Sequence, residues 1–167
     1  VLLSGRSNAG KSSALNSLSD NKKLARISKT PGRTTEINFF EVEDGFKLLD
    51  LPGYGFAKSG RSRRKNWGPL LEEYFKNRQS LKAVLIFMDI RHPLKPIDLE
   101  MIKLCESFDI DYVVVLTKSD KVSKNISAKT IRQVSEAINA KEILAISSLN
   151  KTGFDKLRKV LIGFKYG

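Results

Sequence analysis

Hydrophobic residues along this chain come in two patterns that alternate from end to end. Val1 to Ser4 reads as a first strand, the continuous apolar run from Ala83 to Asp89 predicts a central parallel strand buried on both faces, and Tyr112 to Leu116 predicts another buried strand. Apolar residues at helical spacing predict helices. These are Trp67, Leu70, Leu71, Tyr74 and Phe75; Ile97, Met101, Leu104, Cys105 and Phe108; Ile131, Val134 and Ile138; and Phe154, Leu157, Leu161 and Phe164. Lys11 to Leu18 predicts a first helix, and Glu142 to Ile146 a short strand. Glu36 to Val42 and Phe46 to Leu51, around Glu43-Asp44-Gly45, predict an antiparallel hairpin. The stretch from Asn21 to Thr35 is polar, basic and broken by Pro31-Gly32, and reads as a long loop. The expected fold class is α/β: a six-stranded, mostly parallel sheet with one antiparallel strand, flanked by about five helices. Ligands of such sheets sit beyond the carboxyl ends of the strands.

Length and composition narrow the picture. At 167 residues the chain predicts one domain, residues 1–167, with a single core. It opens inside a strand and without Met, so a native N-terminal piece is expected to be missing. No apolar run approaches the roughly 18 residues of a membrane span. Cys105 is the only cysteine, which excludes an internal disulfide, fits a reducing cytoplasm and reads as core packing; His92 is equally alone, so no Cys/His zinc cluster is possible. The net charge of +12 is concentrated. Asn21–Thr35 holds Lys22, Lys23, Arg26, Lys29 and Arg33, and Gly53–Trp67 holds Lys58, Arg61, Arg63, Arg64 and Lys65, with no acidic residue in either. Ten of the twelve net charges lie there, as in a footprint for a polyanion.

The chemistry begins where the first strand ends. Gly5-Arg6-Ser7-Asn8-Ala9-Gly10-Lys11-Ser12, followed by Ser13, is G-x-x-x-x-G-K-S between a strand and a helix, the context that makes it a phosphate-binding loop. Its glycines let backbone N–H groups converge on phosphate oxygens, and the helix adds its positive end. Lys11 is placed to reach the β- and γ-phosphates, and Ser12 to bind Mg²⁺.

Asp50 and Gly53 form D-x-x-G after the hairpin's second strand. The carboxylate can hold Mg²⁺, and the Gly53 N–H can approach a γ-phosphate. Thr117-Lys118-Ser119-Asp120 selects the base: a carboxylate accepts from N1–H and the exocyclic amine of guanine, and the Lys118 stem can lie along the purine face. Ser147-Ser148-Leu149 would meet the guanine carbonyl. In Pro31-Gly32-Arg33-Thr34-Thr35, Thr34 is the candidate for Mg²⁺ and γ-phosphate sensing, with Thr35 its rival. Loops held in this way are released on hydrolysis, so the two basic segments would be nucleotide-controlled.

These motifs resemble the EngB/YihA/YsxC family of bacterial ribosome-biogenesis GTPases. The likeness rests on residues 5–13, Ser-Lys-Thr-Pro-Gly-Arg-Thr at 28–34, Asp-Leu-Pro-Gly-Tyr-Gly-Phe-Ala at 50–57, Met-Asp-Ile-Arg-His-Pro-Leu at 88–94, and Thr-Lys-Ser-Asp at 117–120. It implies a P-loop GTPase fold, hydrolysis of GTP to GDP, a role in assembling the large ribosomal subunit, and a link to normal cell division. Tyr54 occupies the position where many GTPases orient water with Gln, and an aromatic ring cannot do this. Asn8 resembles the phosphate-loop Asn of potassium-activated relatives, which adds K⁺ to GTP/GDP and Mg²⁺ as an implied cofactor. The catalytic set so read is Lys11, Asn8, Thr34 and Gly53, intrinsic hydrolysis is expected to be slow, and His92 is expected to be a plain loop residue. The expected partner is the large ribosomal subunit, met by the basic loops of a cytoplasmic monomer with no membrane attachment. Two other readings stay open: a GTPase coupled to tRNA modification, and an RNA-binding module with GTP as a structural ligand.

Overall fold

A computed structural model describes residues 1–6, 9–19, 24–28, 38–42, 46–50, 71–77 and 79–166. Among them a seven-stranded sheet runs in the order β2-β3-β4-β1-β5-β6-β7. The strands are β1 (Leu2–Gly5), β2 (Leu24–Ser28), β3 (Asn38–Val42), β4 (Phe46–Asp50), β5 (Val84–Asp89), β6 (Tyr112–Thr117) and β7 (Glu142–Ala145). The helices are α1 (Lys11–Ser19), α2 (71–77), α3 (Pro96–Ser107), α4 (Lys124–Ala137) and α5 (Phe154–Tyr166). Only β3 runs against the others, paired antiparallel to both β2 and β4.

The architecture is the expected α/β one, with one strand more than the six expected. Leu24–Ser28, read from sequence as part of a basic loop, pairs with β3 at the sheet edge. Leu24 stands opposite Val42 and Ile27 opposite Phe40, so β2 advances three residues while β3 advances two. The bulge hides the period of two that marks a strand, and Lys22, Lys23 and Lys29 around it gave the segment the look of a loop. The expected hairpin is present, with Asn38 opposite Asp50 through Val42 opposite Phe46.

Alternation along the central strands divides the core in two. Leu85 and Phe87 of β5 pack with Leu3, Val113 and Val115 against α1 and α5 on one face. Val84, Ile86 and Met88 pack with Leu2, Val114 and Leu116 against α2, α3 and α4 on the other. β6 is buried along its whole length, as its apolar run predicts. All four expected core residues of α5 are buried, as is Cys105, whose thiol is pushed up to about 12 by burial. Phe75 meets Phe108 edge-on at 6.0 Å, tying α2 to the end of α3. Trp67 and Leu70, expected on the α2 face, lie outside the described residues. Each large side chain buried here is worth roughly 1.5–3 kcal/mol relative to exposure, so the strand ends rest on a rigid support.

Parallel register gathers those ends along one edge. Leu3 stands opposite Asp50, Gly5 opposite Phe87, and Asp89 opposite Thr117. The Ile146 N–H then donates to the Leu116 carbonyl at 2.8 Å, which brings Ser147 to the same edge.

Candidate nucleotide site

The phosphate loop leaves β1 at Gly5, where backbone passes so close that a Cβ would stand 3.0 Å from the Phe87 carbonyl oxygen. The Ala9 N–H donates to the Arg6 carbonyl at 3.0 Å, closing a tight turn, and the Ala14 N–H donates to the Gly10 carbonyl at 3.0 Å as α1 begins. Gly10 has φ +85°, in the left-handed region that favours glycine, and a Cβ there would lie 3.1 Å from both Cβ and Oγ1 of Thr117. Lys11 is 6% exposed, while Ser12 and Ser13 are exposed on the first turn. Ser7 and Asn8, the two residues between Arg6 and Ala9, lie outside the described residues. So do Gly32, Thr34, Thr35, Gly53, Tyr54 and the Gly53–Trp67 basic segment. Asp50 closes β4, in register with Leu3 of the strand that feeds the phosphate loop.

The base segment is held from both sides. The Ser119 N–H donates to the Ile146 carbonyl at 3.0 Å, and the Lys121 N–H to the Lys118 carbonyl at 3.0 Å, forming a single 3-10 turn at Ser119–Lys121. The Ser147 hydroxyl, fully buried, donates to Asp120 Oδ1 at 2.8 Å and accepts from the Asn150 N–H at 3.0 Å. A carboxylate has about two lone-pair directions on each oxygen, so Asp120 can accept from a ligand while it holds Ser147. Reciprocal backbone bonds between Ser147 and Thr152, at 3.0 and 3.1 Å, pinch the loop that carries Ser148 and the exposed Leu149. Together these groups can offer guanine an acceptor pair on one edge and backbone donors on the other.

Thr117, grouped from sequence with the base-binding residues, is placed differently. It is buried, and its hydroxyl faces the carbonyls of Ala9 and, at 3.2 Å, Met88. With one proton it donates to one of them at a time. It joins the phosphate loop to the base segment.

Three residues were missed as individuals. Asp89, at the end of β5, accepts from Arg91 Nε at 3.0 Å and from Arg91 Nη2 at 2.8 Å, and it lies 3.3 Å from Lys118 Nζ. The Arg91 guanidinium, assisted by the Arg91 N–H and Lys118, holds its carboxyl well below the usual carboxylate range despite partial burial. Arg91 and Asp89 were visible only as letters in a family motif, although a polar residue ending a buried apolar run is itself a signal in a parallel sheet. Gly153, with φ +82°, turns the chain under β7. His92 is exposed in the turn after β5 and donates its N–H to the Asp89 carbonyl, as expected of a loop residue.

A G-x-x-x-x-G-K-S loop after β1, a Thr-Lys-Ser-Asp segment after β6 and a polar tether between them, on a mostly parallel sheet, are the arrangement of a P-loop GTPase. A family model described as 50S ribosome-binding GTPase matches residues 1–118. The probable GTP-binding protein EngB of Salmonella paratyphi B is 49% identical over 165 residues, 96% of this chain and 79% of that protein, and its counterpart in Salmonella typhi is equally similar. A crystal structure of a probable GTP-binding protein EngB shares the fold with TM-score 0.76 at 23% identity, covering 98% of this chain and 96% of that one. Era in complex with MgGDPNP and a segment of 16S ribosomal RNA shares it with TM-score 0.68 at 21% identity, covering 98% of this chain and 55% of that one. The chain belongs to the EngB family of GTP-binding proteins, and it binds and hydrolyses GTP. Among the described residues no helix is long and apolar enough to cross a membrane.

Proposed function

We propose that this GTPase is a nucleotide-switched assembly factor for the large ribosomal subunit, working in the cytoplasm as a monomer and needed for normal cell division. The observation that carries the reading is the charge. Ten net positive charges lie in the two segments that follow the first helix and the Asp50-x-x-Gly53 motif, in a family whose model is described by ribosome binding. Lys11 and the backbone of residues 5–13 take the phosphates, Gly32, Thr34 and Gly53 report the γ-phosphate, and Lys118, Asp120, Ser147, Ser148 and Leu149 take the base.

Hydroxyl and carboxylate oxygens suit Mg²⁺, which takes one or two protein oxygens alongside substrate phosphates. Ser12 supports this by standing exposed on the first turn of α1, and Asp50 by its register beside β1. Ser12, Thr34 and Asp50 would hold the ion, which supplies neutralisation of charge on the phosphates. Asn8 is assigned a K⁺ site on its resemblance to potassium-activated relatives.

The test is binding to separated ribosomal subunits at two salt concentrations, with GTP, GDP and a non-hydrolysable analogue. Phosphate contacts release counterions, so affinity for the large subunit should fall steeply with salt. Changing Arg63, Arg64 and Lys65 together to Ala should flatten that slope and leave GTP affinity unchanged. Equal binding by the GTP and GDP forms would sink the switch reading, because a ligand shifts a conformational equilibrium only by differential affinity.

A further inference from the structure

We propose that Asp89 is a positioning residue for the guanine site: its carboxylate, fixed by Arg91, holds the Lys118 ammonium so that the Lys118 stem forms one wall of the base pocket. The proposal rests on the assignment of Lys118 to the base, and goes beyond it by naming what orients that side chain.

A lysine cannot build a wall unaided. Its four-carbon stem gives up roughly 1.5–2 kcal/mol of rotamer freedom when it is pinned, so an untethered Lys118 would spend most of its time elsewhere. The backbone of Lys118 is already committed, with φ 60° and ψ 37°: its carbonyl accepts from the Lys121 N–H, and the next N–H, that of Ser119, donates to the Ile146 carbonyl. The side chain, one third exposed, carries its ammonium to within 3.3 Å of Asp89 Oδ2. Sheet register brings its anchor close: Asp89 stands opposite Thr117, the residue before Lys118, on the adjacent parallel strand.

The anchor is itself rigid. Asp89 Oδ1 accepts from the Arg91 N–H at 2.9 Å and from Nε at 3.0 Å, while Oδ2 accepts from Arg91 Nη2 at 2.8 Å. A planar guanidinium bound through two nitrogens leaves a carboxylate little rotational freedom. Oδ2 keeps a lone-pair direction for Lys118 Nζ, 3.3 Å away, and the Asp89 side chain is only 15% exposed, so water competes weakly. Asp89 touches no part of the nucleotide on this account. It acts through Lys118.

The sign of the effect separates this role from simple electrostatics. Guanine nucleotides are polyanions, so deleting a nearby carboxylate should, by charge alone, strengthen binding or leave it unchanged. Loss of a tether weakens it. The experiment is a double-mutant cycle read by calorimetric titration of GDP into the wild type, Asp89→Ala, Lys118→Ala and the double variant. Asp89→Ala should weaken GDP binding about tenfold, the scale of one charge-assisted hydrogen bond. In the Lys118→Ala background the same change should cost less than about twofold, the tether having nothing left to hold. GDP binding as tight as wild type in Asp89→Ala, or an equal loss in both backgrounds, overturns the proposal. Asp89→Asn preserves the volume beside Arg91 and carries the same two criteria should the alanine variant not fold. Lys118→Ala with undiminished GDP affinity would instead remove Lys118 from the base site, and Asp89 with it.

Discussion

Thr117 and Ala9 lie 108 residues apart in the chain, and the Thr117 hydroxyl faces the Ala9 carbonyl across the gap between the phosphate loop and the base segment. A Cβ on Gly10 beside it would press on the Thr117 side chain at 3.1 Å. The two halves of the nucleotide site are therefore one mechanical unit, seated on β1 and β6, which are separated in the sheet by β5 alone.

Thr117→Val tests that unit. Valine keeps the shape and removes the hydroxyl, so the Ala9 carbonyl loses the donor that faces it across the gap. A loss of about 1–3 kcal/mol is expected, divided between folding stability and nucleotide affinity. GTP and GDP should be affected alike, because the γ-phosphate is not involved. Melting curves with and without nucleotide, alongside titration of both ligands, would reveal it. A defect confined to GTP would place Thr117 elsewhere in the mechanism.

Asp120→Asn should exchange one base for another. The amide presents donors where guanine also presents them, so GTP affinity should fall by roughly tenfold to hundredfold. Xanthosine nucleotides, with a carbonyl in place of the exocyclic amine, should gain. The Ser147 hydroxyl can still donate to the amide oxygen, so the pocket should keep its shape. Competition between GDP and XDP for the variant is the measurement, and an unchanged preference for GDP would remove Asp120 from base recognition.

Gly153→Ala should disturb the base loop from below. The added Cβ would stand 2.2 Å from the Ala145 carbonyl oxygen, and φ +82° disfavours any side chain there. Backbone has to shift, at a cost of about 1–3 kcal/mol or more. Because Ser147 and Thr152 are bonded immediately beside it, guanine affinity should fall together with the melting temperature. A variant that melts like the wild type would show that the turn relaxes freely.

Asp98→Asn should stabilise the protein, and only away from acid. Asp98 lies at the start of α3, 1% exposed, with Oδ2 accepting from the Lys95 N–H at 3.1 Å and Oδ1 buried without a hydrogen bond. Burial pushes its carboxyl up from 3.8 to about 6, partly offset by the Lys95 N–H and by the charge of Arg6. Between those values the folded protein retains a proton that the unfolded chain has released. Stability therefore falls as pH rises through this window, and the cost is complete above it. Asparagine can accept from Lys95 without the charge, so the variant should gain about 1–3 kcal/mol near pH 8 and nothing near pH 3. Melting temperatures measured across that range decide it, and a gain independent of pH would mean that the buried charge is not its source.

Much of this protein was legible because its signals are local. Burial on both faces makes β5 and β6 continuous apolar runs, and the face of α5 repeats at Phe154, Leu157, Leu161 and Phe164. The phosphate-loop motif and Thr-Lys-Ser-Asp are legible because each is a contiguous run whose pattern needs no residue from elsewhere in the chain. The strand Leu24–Ser28 was not legible, since a bulge removes the alternation on which such recognition depends.

What only the tertiary structure decided is which residues from different strands meet. Parallel register sets Asp89 beside Thr117, and so gives Lys118 a carboxylate that no spacing along the chain discloses. Ser147 reaches Asp120, and Thr117 turns from the base to the phosphate loop, for the same reason. A side chain's type says what bonds it can make. Its partner depends on strand order and register, which are settled only when the whole sheet closes around its two cores.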